Sequence, residues 1–319
     1  MPFSAALLLL AAAPAQQALP PGFFASLREA DRRLATIGHR LATANAPLCD
    51  RLQPGLGVAV HASGQYADAH RAAALAAFRF DAAVAVEAVV AGGPAERAGV
   101  RDDDGLVAVD GAAVPGGGEG IADRDRALDL LERGPPDGVV RLSLRRQGVA
   151  REAAVQAVPA CRVRFEVIPG RGDYAGSDGR AVHLGERWFE RYDDPEIAVV
   201  VAHELAHAVL RHRARLDAAK VNRGLLREVG RNGRLFRQTE READELGVYL
   251  LANAGYDPAS AARFWRTRGP ELDHGLFRSR THPSSRNRAD ALDAVARTIA
   301  GQATPIAPPV LAARDRPLD

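Results

Sequence analysis

The sequence predicts an α+β chain of two modules, a β-rich one followed by a mainly helical one with a small edge-strand sheet. Three observations carry that reading. At 319 residues the chain is long enough for two domains that each close a core. Short apolar alternations broken by Gly-Gly-Pro and Asp-Gly turns crowd the region between Cys49 and Cys161. Farther on, the stretches around 193–216 and 237–258 carry helix start and stop signals.

The N-terminus, MPFSAALLLLAAAPAQQALPPG, has an apolar core of about ten residues and an A-x-A-like site at Ala13-Pro14-Ala15. Residues 1–15 are therefore expected to be an export signal, which makes the mature chain soluble and places it in the periplasm or outside the cell. No later stretch reaches the roughly 20 uncharged residues a membrane helix needs, so no stable membrane insertion is expected. The 42 basic and 40 acidic residues nearly cancel, and Lys220 is the only lysine. No basic block of the kind that tracks nucleic acid is present. Cys49 and Cys161 are the only cysteines; in an oxidising compartment they can bridge and clamp the segment between them, or stand as two buried thiols.

Residues 22–47 read as one amphipathic helix, with apolar positions three and four apart. In 53–159, Gly55 and Gly57 permit a tight backbone before a strand that begins at Val58. A strand, a Gly-Gly-Pro turn, a short helix, a strand ended by Asp110-Gly111, a helix over 122–134 and a hairpin follow. That order, with GLGV at the start and GGPAERAGV ahead of DGLVAVDG, resembles a PDZ domain. The resemblance implies that an extended peptide adds as a strand after the loop of Leu56, Gly57 and Val58, whose amides hold its terminal carboxylate. An envelope protein would be a partner of that kind. An insertion, QYADAHRAAALAAFRF, stands before the next strand and is placed to cover or reshape the groove.

In DDPEIAVVVAHELAHAVLRHRARL, Asp194 can cap, Pro195 suits the first turn and Glu196 favours the positive end of the dipole. A single helix is predicted, apolar on nearly every side and hence buried, so its ionisable groups need partners. His203 and His207, four apart, share a face and can grip one cation. Glu204 lies beside that face, placed to take a proton from an attacking water. Zinc needs a third protein ligand and an open position. His212, five residues past His207 on a continuing helix, is expected at the surface. In RQTEREADELGVYLLANAGYDP, Glu240, Ala243, Asp244 and Gly247 share a face, and Glu242 points elsewhere. Glu240 is the candidate third ligand, and Asp244 the carboxylate that orients a ligand imidazole through its other nitrogen. His39, His61, His70 and His274 have no partner spacing and are expected at the surface.

HELAH, then EREAD, then THPSSRNRA resemble the three ordered signatures of the gluzincin zinc metallopeptidases that include HtpX, the CAAX prenyl proteases and the Oma-type and BepA-like enzymes. The resemblance covers about Val163 to Ile299. It implies a zincin-type domain over 162–300, one Zn2+ held by His203, His207 and Glu240, Glu204 as base, and His282 with Arg288 near the active site. DYAGSDGRAVHLGERWFERYDD is similar to that family's edge strand and following helix. Arg288 could set a charged fork near a developing oxyanion, or form a structural salt bridge. His282 could stabilise the oxyanion, latch the open zinc position, or belong to a structural His-Pro turn. The expected activity is endopeptidase action on extended or unfolded polypeptide; the rival is a chaperone-like or scaffold protein that binds peptides through its PDZ-like domain over a latched zinc site. The Pro-containing tail, 301–319, is expected to be disordered.

Overall fold

A computed structural model describes residues 19–20, 22–118, 120–221, 230–272 and 285–318. The leader expected at 1–15, His274 and His282 lie outside the described residues. Helix α1 (Phe23–Ala44) turns Leu27, Leu34, Ile37 and Leu41 inward, as its apolar spacing requires. Strands β1 (Leu52–Gly55) and β2 (Val58–Ala62) follow. The insertion forms α2 (Asp68–Ala77) before β3 (Val84–Val89). Then come α3 (Pro94–Arg97), β4 (Gly105–Val109), the short β5 (Ala112–Ala113) and α4 (Ala122–Leu131). The hairpin of β6 (Val139–Arg146) and β7 (Val149–Gln156) completes an antiparallel sheet of order β2-β3-β4-β6-β7, with β5 beside β4. Its core joins Leu56, Val86, Leu106, Leu142 and Val155 to Ala127 and Leu131 of α4.

Strand β8 (Val158–Cys161) pairs antiparallel with β1, Leu52 opposite Cys161. The bridge Cys49–Cys161 spans a Cα–Cα distance of 5.5 Å at that closure, so both ends of the intervening segment are tied together. Next, β9 (Arg164–Ile168), β10 (Ala175–Ser177) and β11 (Ala181–Gly185) form a sheet of order β10-β11-β9, leaving β10 and β9 as its edges. Helices α5 (Arg187–Arg191), α6 (Asp194–Val209), α7 (His212–Ala218), α8 (Gly230–Asn253), α9 (Ala259–Thr267), α10 (Gly269–Leu272) and α11 (Ser285–Ile299) build the rest. Helix α1 belongs to this second core, packed with α6, α8 and β9. Gly38 makes that possible, because a Cβ there would meet the Phe165 ring at 2.5 Å. Among the described residues, no helix is long and apolar enough to cross a membrane.

Several expectations change. The α6 cap is Asp193, not Asp194: its side chain accepts from the Glu196 amide at 2.9 Å while Glu196 accepts from the Asp193 amide at 3.2 Å. The predicted single helix breaks at Arg211, whose φ of 52° is left-handed, and α7 starts afresh. His212 is consequently buried, 2% exposed. His61 is buried too, its ring 4.7 Å from that of Phe78, which the insertion supplies. The tail is not disordered: residues 309–315 form a 3-10 turn and Ile306 is buried against the second core. Asn253 ties it down, donating to the Ile306 carbonyl at 3.2 Å and accepting from its amide at 2.7 Å.

Candidate metal centre

Helix α6 can carry His203 and His207 in its buried stretch because α8 brings their partners. Twelve of its sixteen residues are buried, His203 and Glu204 among them. Opposite, Ala243 and Gly247 keep α8 close: a Cβ at Gly247 would lie 3.5 Å from the His203 amide nitrogen. This close approach carries Glu240 and Asp244, one turn apart, to the two imidazoles.

His203 Nε2 lies 3.2 Å from His207 Nε2 and 3.3 Å from Glu240 Oε2; His207 Nε2 lies 3.6 Å from Glu240 Oε1. Three electron-pair donors thus converge on one point. Tetrahedral Zn2+ with N and O ligands at about 2.0–2.1 Å spaces those atoms about 3.3–3.4 Å apart, close to the spacing seen here. Among the described residues, His203, His207 and Glu240 are the group of three or more side chains that could hold a metal ion.

Behind His203, its Nδ1 is 3.0 Å from Asp244 Oδ1. Arg288 does not present a free fork: its Nε donates to Asp244 Oδ2 at 2.6 Å, its Nη2 lies 3.1 Å from His203 Nδ1, and its guanidinium stacks 3.5 Å over Trp265. The pair is buried, Arg288 being 4% exposed. The plain reading of a salt bridge thus fits Arg288, and its place near an oxyanion is not supported by these contacts. Burial and the Arg288 charge press the His203 proton affinity down, yet hydrogen bonds to Asp244 and Glu240 outweigh them and lift its pKa to about 9. Burial would raise Asp244, but Arg288 and His203 hold it below the usual carboxylate range. A setting that draws a proton to His203 also draws a metal cation. Burial drives His207 well below its ordinary pKa, leaving a neutral ring with a free pair, as ligation requires.

Two residues set aside in the sequence reading join this centre. His212 Nδ1 lies 2.8 Å from His207 Nδ1, and its Nε2 lies 3.1 Å from Glu242 Oε2. Glu242 also accepts from Arg215 Nη1 at 2.5 Å and from Gln238 Nε2 at 2.9 Å. Burial alone would raise Glu242, but His212, Arg215 and Gln238 hold it down at about 2. No sequence signal marks the break that brings His212 inward, since the left-handed residue is an arginine instead of Gly or Asn.

Leu56, Gly57 and Val58 line a separate cavity of about 180 Å3 beside α4. Its other walls come from α1 and β9, with residues of β1, β3 and β8, whereas the insertion contributes Gln65 alone. Strand β9 is held to α4 by Arg164 on Asp129 at 2.6 Å and by Arg124 on Glu166 at 3.3 Å.

Residues 85–146 match the profile of the PDZ domain, and 225–296 match that of Peptidase family M48. The second match holds Glu240, Asp244 and Arg288; His203 to His207 precede it. Mitochondrial metalloendopeptidase OMA1 of Arabidopsis thaliana is 34% identical over 117 residues, 31% of this chain and 24% of that protein. The matched region therefore spans about a quarter of that relative's length. One chain thus joins a segment that matches the PDZ domain to a segment that matches peptidase family M48, and the metal-ligand group formed by α6 and α8 supports the second match.

Proposed function

We propose that the chain is a zinc-dependent endopeptidase acting on extended or unfolded polypeptide. The observation that carries this is the spacing of His203 Nε2, His207 Nε2 and the Glu240 carboxylate, 3.2 to 3.6 Å apart and backed by Asp244. A zinc ion bound there supplies Lewis-acid polarisation of a substrate carbonyl and of a water. Glu204, 6% exposed, projects about 100° round the helix from His203, flanking the ligand face. Its carboxylate accepts the proton of the attacking water and returns it to the departing amine. Asp244 keeps the His203 proton on Nδ1, so Nε2 offers its pair to the cation.

Strand β10 packs against α6 and forms an edge of its sheet. An edge offers unpaired backbone groups to an extended chain, which favours segments without tertiary structure. The Leu56-Gly57-Val58 loop would hold a peptide's terminal carboxylate and gather such chains. With export of residues 1–15, the role is quality control in a bacterial envelope, a step that rests on analogy.

The test compares Glu204→Gln with the wild type on an unfolded, casein-type protein. Hydrolysis is expected to fall about 10²–10⁴-fold, the contribution of a general base, with bound zinc unchanged. Equal hydrolysis by both would favour the peptide-binding reading.

A further inference from the structure

Resting on the metal reading above, we infer that His212 and Glu242 are positioning residues that fix the ring and tautomer of His207. The two ligand histidines are served differently. His203 meets its carboxylate directly, because Asp244 lies one turn from Glu240 on the same face of α8. Glu242 sits two residues from Glu240, about 200° round the helix, and cannot reach His207 in the same manner. The His212 imidazole spans that gap.

The protons along the chain follow from the contacts. A neutral His207 that turns the free pair of Nε2 toward Glu240 and His203 carries its proton on Nδ1. The 2.8 Å contact between His207 Nδ1 and His212 Nδ1 accommodates one proton, so His207 donates and His212 accepts. His212 then carries its proton on Nε2, which faces Glu242 Oε2 at 3.1 Å. Glu242 ends the relay as an acceptor, held by Arg215 and Gln238. With both rings neutral, any other placement leaves two protons or two free pairs facing one another at one of these contacts.

Backbone geometry serves this arrangement. Had α6 continued, His212 would stand about 140° away from His207, facing elsewhere. The left-handed turn at Arg211 restarts the helix and swings the imidazole back. Arg215, 7% exposed, also donates from Nε to the Arg316 carbonyl at 3.0 Å, so the C-terminal segment braces the acidic end of the relay.

The experiment measures zinc affinity by chelator competition and the visible spectrum of the Co2+-substituted protein, with circular dichroism to confirm folding. His212→Leu, which removes the acceptor, is expected to bind zinc about 10–100-fold more weakly and to shift the cobalt bands. His212→Asn places Oδ1 near the position of Nδ1 and is expected to recover most of that loss. Should His212→Leu fail to fold, Glu242→Gln decides: an amide donor facing Nε2 reverses the relay and is expected to weaken zinc about 10-fold. Wild-type affinity with unaltered cobalt bands in a folded His212→Leu, or in Glu242→Gln where the former does not fold, overturns the relay and leaves the metal site standing. A wild type that binds no zinc overturns the metal reading itself.

Discussion

Two regions of this chain bury acids beside histidine, and they resolve the cost in opposite ways. At the metal centre, donor atoms from α6 and α8 converge on a point, and their charge calls for a cation. At the junction of α1 with the β-rich module, Asp31 and Glu87 share a hydrogen bond beside His61. There, burial pushes Asp31 up to about 7, with Glu166 adding to the effect, and pushes Glu87 well above its ordinary value, with Asp31 adding to it. Burial holds His61 down at about 3, a neutral ring with Nδ1 2.9 Å from the Tyr66 hydroxyl. The first cluster is built so that a metal can complete it, and the second is neutralised by retained protons. Burial of ionisable groups therefore does not identify a metal site; convergence of lone pairs at ligand spacing does.

Substitutions should separate the two. Asp244→Asn, which weakens the orienting acceptor for His203, should lower zinc affinity about 10–100-fold, measured by chelator competition, and leave the junction untouched. At the junction the readout is stability against pH. Asp31 has a folded pKa raised from 3.8 to about 7, so the folded chain holds a proton that the unfolded chain releases. The corresponding stability is present in full below about pH 4 and is lost as pH rises through about 7. Arg28, Arg124, Glu87 and Glu166 set its local field. Asp31→Asn should flatten that decline in denaturant titrations at several pH values, with zinc affinity unchanged. Smallest is His61→Phe, which strands the Tyr66 hydroxyl: about 1–3 kcal/mol of stability lost in the same titrations, with hydrolysis unaltered.

Legibility in the sequence divides along the same physical line. The spacing of His203 and His207, the start of their helix to within one residue and the Glu240 to Asp244 turn are local, and local geometry follows from helical periodicity. The order of strands and turns between the cysteines was readable for the same reason. His212 was misplaced because its orientation depends on one left-handed arginine, which tertiary contacts impose against propensity. Arg211 pairs with Asp50 at the far end of the chain's first helix connection. His61 was placed at the surface because the rings that bury it, Tyr66, Phe78 and Phe80, come from the insertion. The tail looked disordered by composition, yet side-chain hydrogen bonds from Asn253, and from Arg314 to the Leu48 carbonyl at 3.1 Å, hold it.

The central claim is that two helices deliver three side chains to one ion. Zinc content and X-ray absorption of the purified protein, beside Glu240→Gln, test it most directly. The account predicts one zinc per chain with two imidazoles and a carboxylate in its coordination shell, and loss of tight binding in the variant. Unchanged tight binding by Glu240→Gln, or a shell without a protein carboxylate, would contradict it.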